Sequence, residues 1–171
     1  MSQTTLSIRR ATDEDAAAIA RVQAETWQST YADLLPDPAI AAQFHPRNVE
    51  VWRRILRSPE GRFVLVADAE GEVIAFVSGG PSRDPKARFT AEIYALYVLE
   101  PWQDWGIGRA LLEASREQLM EDGHQRMMIW VLVDNPAVGF YERLGGLTIA
   151  ERDDKVGGAP VRERAYGWWL T

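Results

Sequence analysis

Apolar and polar positions divide the chain into short alternating strands and amphipathic helices. "LSIRRA" at 6–11 alternates like a strand. Thr12-Asp13-Glu14-Asp15 follows, with Thr12 placed to cap a helix and Asp15 in the capping-box position. Apolar residues then recur at Ala16, Ile19, Ala20 and from Val22 to Trp27, a helical spacing, and the prolines of "LLPDP" predict an end near Tyr31. A second helical stretch is predicted over 37–58, broken at "HPRN".

Three strand-like segments come next. "RFVLVADA" and "EVIAFVSGG" are separated by Glu70-Gly71, a hairpin signal, and "FTAEIYALYVL" is rich in β-branched and aromatic residues. A glycine-bearing turn leads into a helix whose buried face is marked by Ile107, Ala110, Leu111, Ala114 and Leu119, and which ends at Asp122-Gly123. "RMMIWVLV" reads as a strand, Pro136 to Leu144 as a helix stopped by Gly145-Gly146, and 147–153 and 161–170 as two last strands joined by "DDKVGGAP". The order is β-α-α-β-β-β-α-β-α-β-β. Hairpins combined with one strand-helix-strand crossover predict an α/β fold, a mixed sheet with helices on its faces, built as one domain over 1–171.

Composition narrows the chemistry. No apolar run approaches the ~20 residues that span a bilayer, and "MSQTTLSIRR" has no apolar core of a secretory signal, so a cytoplasmic protein is expected. The absence of cysteine excludes disulfides, a thiolate nucleophile and cysteine-ligated zinc. His45 and His124 have no metal-ligand spacing and no G-x-S-x-G elbow is present, so both histidines read as surface or capping residues and no metal is expected. A net charge of −6 disfavours a nucleic-acid surface and favours cationic small molecules or peptides. Any anionic ligand must then be held by a local feature.

The turn in "ALYVLEPWQDWGIGRALL" is such a feature. The first N–H groups of a helix have no internal partner and sit at the positive end of its dipole. Gly106 and Gly108 would let a phosphate approach them, although glycines also make tight corners for their own sake. Leu111 replaces the third glycine of a dinucleotide fingerprint, and the Gly-Lys-Ser/Thr of a P-loop is missing. Taken alone, the turn leaves packing and phosphate binding equally open.

The surroundings of the turn resemble a known family. "EIYALYVLEPWQDWGIGRALL" is similar to the acetyl-coenzyme A signature of the GNAT superfamily of N-acetyltransferases, a strand followed by Q/R-x-x-G-x-G/A, which Gln103 to Gly108 match. "VDNPAVGFYERLGG" resembles its second motif and "ETWQSTYADLLPD" the first-helix region of its small-molecule enzymes, so the resemblance spans about 4–150. It implies a central mixed, mostly antiparallel sheet flanked by helices, and acetyl-coenzyme A as cofactor. It implies a cofactor site made of Leu96, Tyr97 and Val98 along the strand, the turn and helix start Gln103, Asp104, Trp105, Gly106, Ile107, Gly108, Arg109 and Ala110, and Asn135, Phe140 and Tyr141. The pantetheine arm would bond main chain near Tyr97 to Leu99, with a bulge expected near Leu96–Val98. Asp104 and Trp105 depart from the small and basic residues of many relatives, leaving Arg109 as the nearest cation, and Gly146 is expected to loosen the packing after the last helix.

Acyl transfer needs a neutral amine, and a lysine-like amine pays about 4.6 kcal/mol for neutrality at pH 7. A carboxylate base lowers that cost. Glu92, a charge inside an apolar strand, is the first candidate and Glu25 the second, against the plainer reading of Glu92 as an outward-facing sheet residue. By resemblance Tyr141 serves the coenzyme A sulfur, the alternative being an aromatic packed with Phe140 and Leu144; Asn135 positions the helix, bonds the arm or caps. Trp27, Tyr31, Glu25 and Tyr94 are the candidate acceptor-site residues; Trp27 and Tyr31 share a helix face and are equally readable as core. The functional expectation is direct acetyl transfer to a small-molecule primary amine. Protein N-terminal or lysine acetylation, and a non-catalytic acyl-coenzyme A module, stand as alternatives. A homodimer is compatible with the resemblance; no membrane partner is expected.

Overall fold

The computed structural model describes residues 3–57 and 60–171. Met1 and Ser2 of the N-terminal segment, and Ser58 at the expected end of the second helical stretch, lie outside the described residues. The elements are β1 (Leu6–Arg10), α1 (Ala16–Tyr31), α2 (Asp37–Gln43), α3 (Arg47–Arg57), β2 (Phe63–Ala69), β3 (Glu72–Pro81), β4 (Ala91–Val98), α4 (Ile107–Glu121), β5 (Arg126–Leu132), α5 (Val138–Arg143), β6 (Leu147–Val156) and β7 (Ala159–Trp169). The predicted break near "HPRN" is complete, so the second helical stretch is two helices.

The strands form one sheet in the order β1-β2-β3-β4-β5-β7-β6, in which, among the described residues, only the β4–β5 pair is parallel. Glu70 and Gly71 both take positive φ, 53° and 93°, as the tight β2–β3 hairpin requires. Residues 63–67 of β2 and 73–80 of β3 are buried without alternation because helices cover both faces. Tyr97 of β4 meets Trp27 of α1, whereas its neighbour Val98 lies beside Gly108 of α4. Successive strand residues point to opposite faces, so α1 and α4 lie on opposite sides of the sheet. Ile19 of α1, Phe76 of β3 and Leu111 of α4 are each fully buried at these two interfaces. The edge strand β6 carries Glu151, Arg152, Asp153, Asp154 and Lys155, charges that discourage further strand pairing.

Two packing expectations are corrected. Ala110 is exposed and Leu112 and Ser115 are buried instead, so the inner face of α4 is rotated from the one its alanines suggested. Alanine fits either face, and the leucines decide. Gly146 does not loosen the end of α5. A Cβ there would lie 2.7 Å from the Trp168 ring and 2.8 Å from the Tyr141 carbonyl oxygen, so glycine is what lets the indole pack so closely. Both histidines have the minor roles expected: His45 Nδ1 accepts the Arg47 N–H at 3.1 Å, and His124 Nδ1 lies 3.0 Å from the Thr90 hydroxyl.

Candidate active site

The sheet is split at its one parallel junction. β4 and β5 pair from Ala91–Met127 to Ile93–Ile129 and no further. At that point Tyr94 is an extra residue in β4, because the β3 register jumps from Gly79–Ile93 to Ser78–Ala95. Such a bulge bends its strand, and Gly79 accommodates it: a Cβ there would meet Phe63 at 2.7 Å and Ile93 at 3.1 Å. The bulge expected near Leu96–Val98 thus falls at Tyr94, since the bend has to come where parallel pairing ends. The gap opens into a cleft of about 1040 Å³ that runs from the start of α4 to the α1 side of the sheet.

Main-chain groups border this gap. The Leu99 N–H donates to the Ile74 carbonyl at 3.0 Å, so alternation turns Tyr97 toward β3 as well and leaves Leu96 and Val98 facing the gap. The Val98 carbonyl accepts from Gln103 Nε2 at 3.0 Å, which ties the glycine turn to the strand. The chain then reverses through two left-handed residues, Asp104 at φ 67° and Gly106 at φ 78°. Asp tolerates this conformation through its short polar side chain. The first α4 N–H to find an acceptor up the helix is that of Ala110, on the Gly106 carbonyl at 3.0 Å. The N–H groups of Ile107, Gly108 and Arg109 come before it and face an end that Gly106 leaves free of any Cβ contact. Gly108 has a second reason to be glycine, since a Cβ would press on Phe140 at 3.3 Å.

Of the turn residues, Gln103, Asp104, Gly106, Ile107, Gly108 and Arg109 line the cleft. Trp105 and Ala110 do not: the Trp105 indole is 61% exposed and tilts against Trp102, 5.3 Å away. That position takes Trp105 out of the path to the cradle. Neither side chain is placed among the cleft-lining groups where a cofactor contact was expected.

Besides Tyr94, three phenols line the cleft. Tyr141 of α5 is buried between Phe140, Tyr166 and Trp168, with ring centroids 5.2–6.1 Å apart. Tyr31 of α1 lies edge-on to Trp27 at 5.1 Å and accepts a 2.8 Å hydrogen bond from Asn135 Nδ2. Tyr97 accepts one of 3.1 Å from the Trp27 indole. Burial pushes all three phenols above their ordinary range, and for Tyr141 the neighbouring Tyr31 and Tyr97 push further. Each therefore stays protonated at neutral pH and acts as a donor, never as a base.

Comparison with known proteins decides the family. The model for the acetyltransferase (GNAT) family matches residues 22–146. The chain belongs to that family. It is 33% identical over 163 residues to the uncharacterized N-acetyltransferase YuaI of Bacillus subtilis, covering 95% of this chain and 92% of that one. The PaiA N-acetyltransferase of Thermoplasma acidophilum, solved with coenzyme A, has the same fold with a TM-score of 0.74 at 23% identity, over 95% of this chain and 99% of that one. The acetyltransferase YncA of Salmonella typhimurium, solved with acetyl-CoA, gives 0.76 at 22%, over 98% and 95%. The chain is an acetyl-coenzyme A-dependent N-acetyltransferase.

The carboxylates differ from the expectation for a GNAT base. Glu92 is buried at 2% exposure, outside the cleft lining, and Arg83 occupies both its oxygens. The Arg83 main-chain N–H donates to Oε1 at 3.1 Å and Nε to Oε2 at 2.9 Å, with Nη2 also on Oε2. Glu92 is thus held as a buried ion pair with Arg83, and this placement outside the lining does not support the expected role of base. Glu25 is exposed, pairs with Arg21 at 3.4 Å and also lies outside the lining. Tyr94 does line the cleft; its hydroxyl donates to the Pro81 carbonyl and its ring lies within 5.3 Å of the Arg62 and Arg83 guanidiniums.

Sequence reasoning missed several lining residues. Arg143 of α5 joins Arg109 at the cleft, and neither has an ion pair among the described residues. Arg152 lies 3.9 Å over the Trp130 ring and bonds Glu163 at 2.7 Å, with Asp154 nearby in the lining. For Arg152, Asp154 and Glu163 the signal was present only as strand alternation, which does not say which face holds a ligand, and for Arg143 only as a charge at the end of α5.

Proposed function

We propose that the cleft acetylates the primary amine of a small molecule by direct transfer, with acetyl-coenzyme A and the amine bound together. The observation that carries this reading is the split of the sheet beyond Ile93–Ile129 beside the unpaired N–H groups of α4, with α1 closing the other side. The N–H groups of Ile107 to Arg109, the helix dipole and the two free arginines suit a diphosphate. The main chain of Leu96 and the N–H of Val98, which face the gap, suit an amide-bearing arm. When bound, the thioester supplies the acetyl group and a thiol leaving group.

The chain's own residues do the rest. Tyr141 holds its proton and gives it to the sulfur as the C–S bond breaks and the C–N bond forms. The ammonium passes its proton to the carboxylate of Asp154, which lines the acceptor end and has no ion pair among the described residues, whereas Glu163 is held by Arg152. With no cysteine in the chain, no thiol carries the acetyl group between donor and acceptor. Trp27, Tyr31 and Leu35 wall the acceptor side, which favours a compact amine over a long peptide.

The test is calorimetric titration with acetyl-coenzyme A followed by initial-velocity kinetics over a panel of amines and peptides. Binding, turnover of a small amine and intersecting double-reciprocal lines are expected. Tyr141→Phe is expected to keep binding and lose turnover by about 10²-fold or more. Turnover of peptides alone would refute the small-molecule reading, and parallel lines would refute direct transfer.

A further inference from the structure

Two of the three phenols have protons whose direction the structure fixes. The Ala137 main-chain N–H can only donate, and it lies 2.8 Å from Asn135 Oδ1, which identifies that atom as the amide oxygen. The other end of the amide, Nδ2, therefore points at the Tyr31 oxygen from 2.8 Å as a donor. An indole N–H is likewise donor only, and Trp27 Nε1 points at the Tyr97 oxygen from 3.1 Å. Both phenol oxygens are thus accepting, and each must send its own proton elsewhere. Among the described residues neither proton has an acceptor, and both side chains line the cleft. A ligand that satisfies them has to bring a hydrogen-bond acceptor.

Position selects which acceptor. Tyr97 stands on the stretch of β4 that has lost its β5 partner, and it projects to the α1 face together with Tyr31. Tyr141 approaches from α5 on the opposite face, where it packs against Tyr166 and Trp168. A donor aimed at the incoming amine would occupy the lone pair that must attack. A donor aimed at the acetyl oxygen instead stabilises the negative charge that builds there. We propose that Tyr31 and Tyr97 donate hydrogen bonds to the acetyl carbonyl oxygen, a side-chain oxyanion site on the α1 face, with Asn135 and Trp27 as the positioning residues that set their protons. The proposal rests on the reading of the split sheet as the thioester site. It divides the labour: Tyr141 serves sulfur, and the Tyr31–Tyr97 pair serves oxygen.

The deciding measurement is the infrared stretch of acetyl-coenzyme A labelled with carbon-13 at the carbonyl, bound to the whole chain. In the parent protein the band is expected to move to lower frequency than in an apolar solvent. Tyr31→Phe and Tyr97→Phe should each return part of that shift, and kcat should fall about 10²-fold with the amine KM unchanged. Asn135→Asp keeps an oxygen for the Ala137 N–H but presents a second acceptor to Tyr31, which turns the phenol proton away. It should reproduce the spectrum of Tyr31→Phe. Binding of coenzyme A without the acetyl group reads any general damage and should be unchanged in Tyr31→Phe, whose side chain is outside the expected cofactor contacts. An identical band in parent and both phenylalanine variants overturns the proposal. So does a loss that appears as a raised amine KM with the band unmoved, because the phenols would then serve the acceptor. If the parent protein fails to bind acetyl-coenzyme A, the site reading itself falls and the proposal with it.

Discussion

Glu92→Gln separates a structural carboxylate from a catalytic one. The amide keeps an oxygen for the Arg83 main-chain N–H but sets an NH₂ against Nε and Nη2, both of which now donate to Oε2. Two charge-assisted hydrogen bonds are lost, worth about 1.5–3 kcal/mol each in a buried setting. The Arg83 side chain is 57% exposed and can turn to water, so the stranded partner adds little and the upper part of that range is not reached. A net cost of about 2 kcal/mol is expected, which lowers Tm by about 4–8 °C in a domain of this size. Loss of a general base costs about 10²–10⁴ in rate, whereas loss of the anchor costs little while the chain stays folded. The assay is kcat/KM against pH at 25 °C, paired with thermal unfolding. The expected result is a lowered Tm, a rate within about threefold of the parent, and an unmoved acid limb. A variant with parental Tm, a hundredfold lower rate and a flattened acid limb would refute the ion-pair assignment.

Other positions give sharp expectations. Burial holds Tyr31 and Tyr141 protonated in the folded chain, so the unfolded chain loses these protons first as pH rises. Their contribution is constant below about pH 10 and then falls by about 1.4 kcal/mol per pH unit for each phenol; a denaturation midpoint that does not change between pH 9 and 11 would contradict this. Gly146→Ala forces a methyl to within 2.7 Å of the Trp168 ring and should cost about 1–3 kcal/mol by urea unfolding; an unchanged midpoint would mean the indole moves freely. Trp105→Ala should leave acetyl-coenzyme A affinity within about twofold, whereas Arg143→Gln should weaken it about tenfold or more (a hydrogen bond to a charged group is worth about 1.5–3 kcal/mol), and the reverse order in calorimetry would undo this reading of the cradle.

Local chemistry made much of this fold legible. The Glu70-Gly71 hairpin, the caps of α4 and the turn from Gln103 to Gly108 depend on backbone preferences that a few neighbouring residues express by themselves. Their places follow directly. The misreadings share one cause, because each depended on a partner from a distant segment. Glu92 looked like a base until the loop after β3 brought Arg83 onto it. Gly146 looked like a loose end until the last strand put Trp168 against it. Ala110 fits either side of a helix, and only packing against β3 and β4 chose Leu112 and Ser115. Asn135 was legible as a cap or arm contact, but its bond to Tyr31, 104 positions away, was not. Side-chain identity sets what a residue can do, and the fold decides what it meets.

One cleft has to hold a polyanion at one end and an amine at the other, in a chain of net charge −6. On the proposed reading Arg109, Arg143 and the start of α4 would act on the donor at close range, whereas the overall negative charge acts from all over the surface. The Debye length shortens from about 30 Å at 0.01 M salt to about 10 Å at 0.1 M. Added salt therefore removes the distant repulsion before it weakens the close contacts. KM for acetyl-coenzyme A should first fall over this range and rise only at higher salt. A cationic amine is drawn by both the distant field and Asp154, so its KM should rise throughout. The neutral phenols between the two ends carry no charge to screen, and kcat should stay level. If both KM values rose together from the lowest salt, the donor end would not be held by local features against an opposing field, and the cradle at α4 would lose its physical basis.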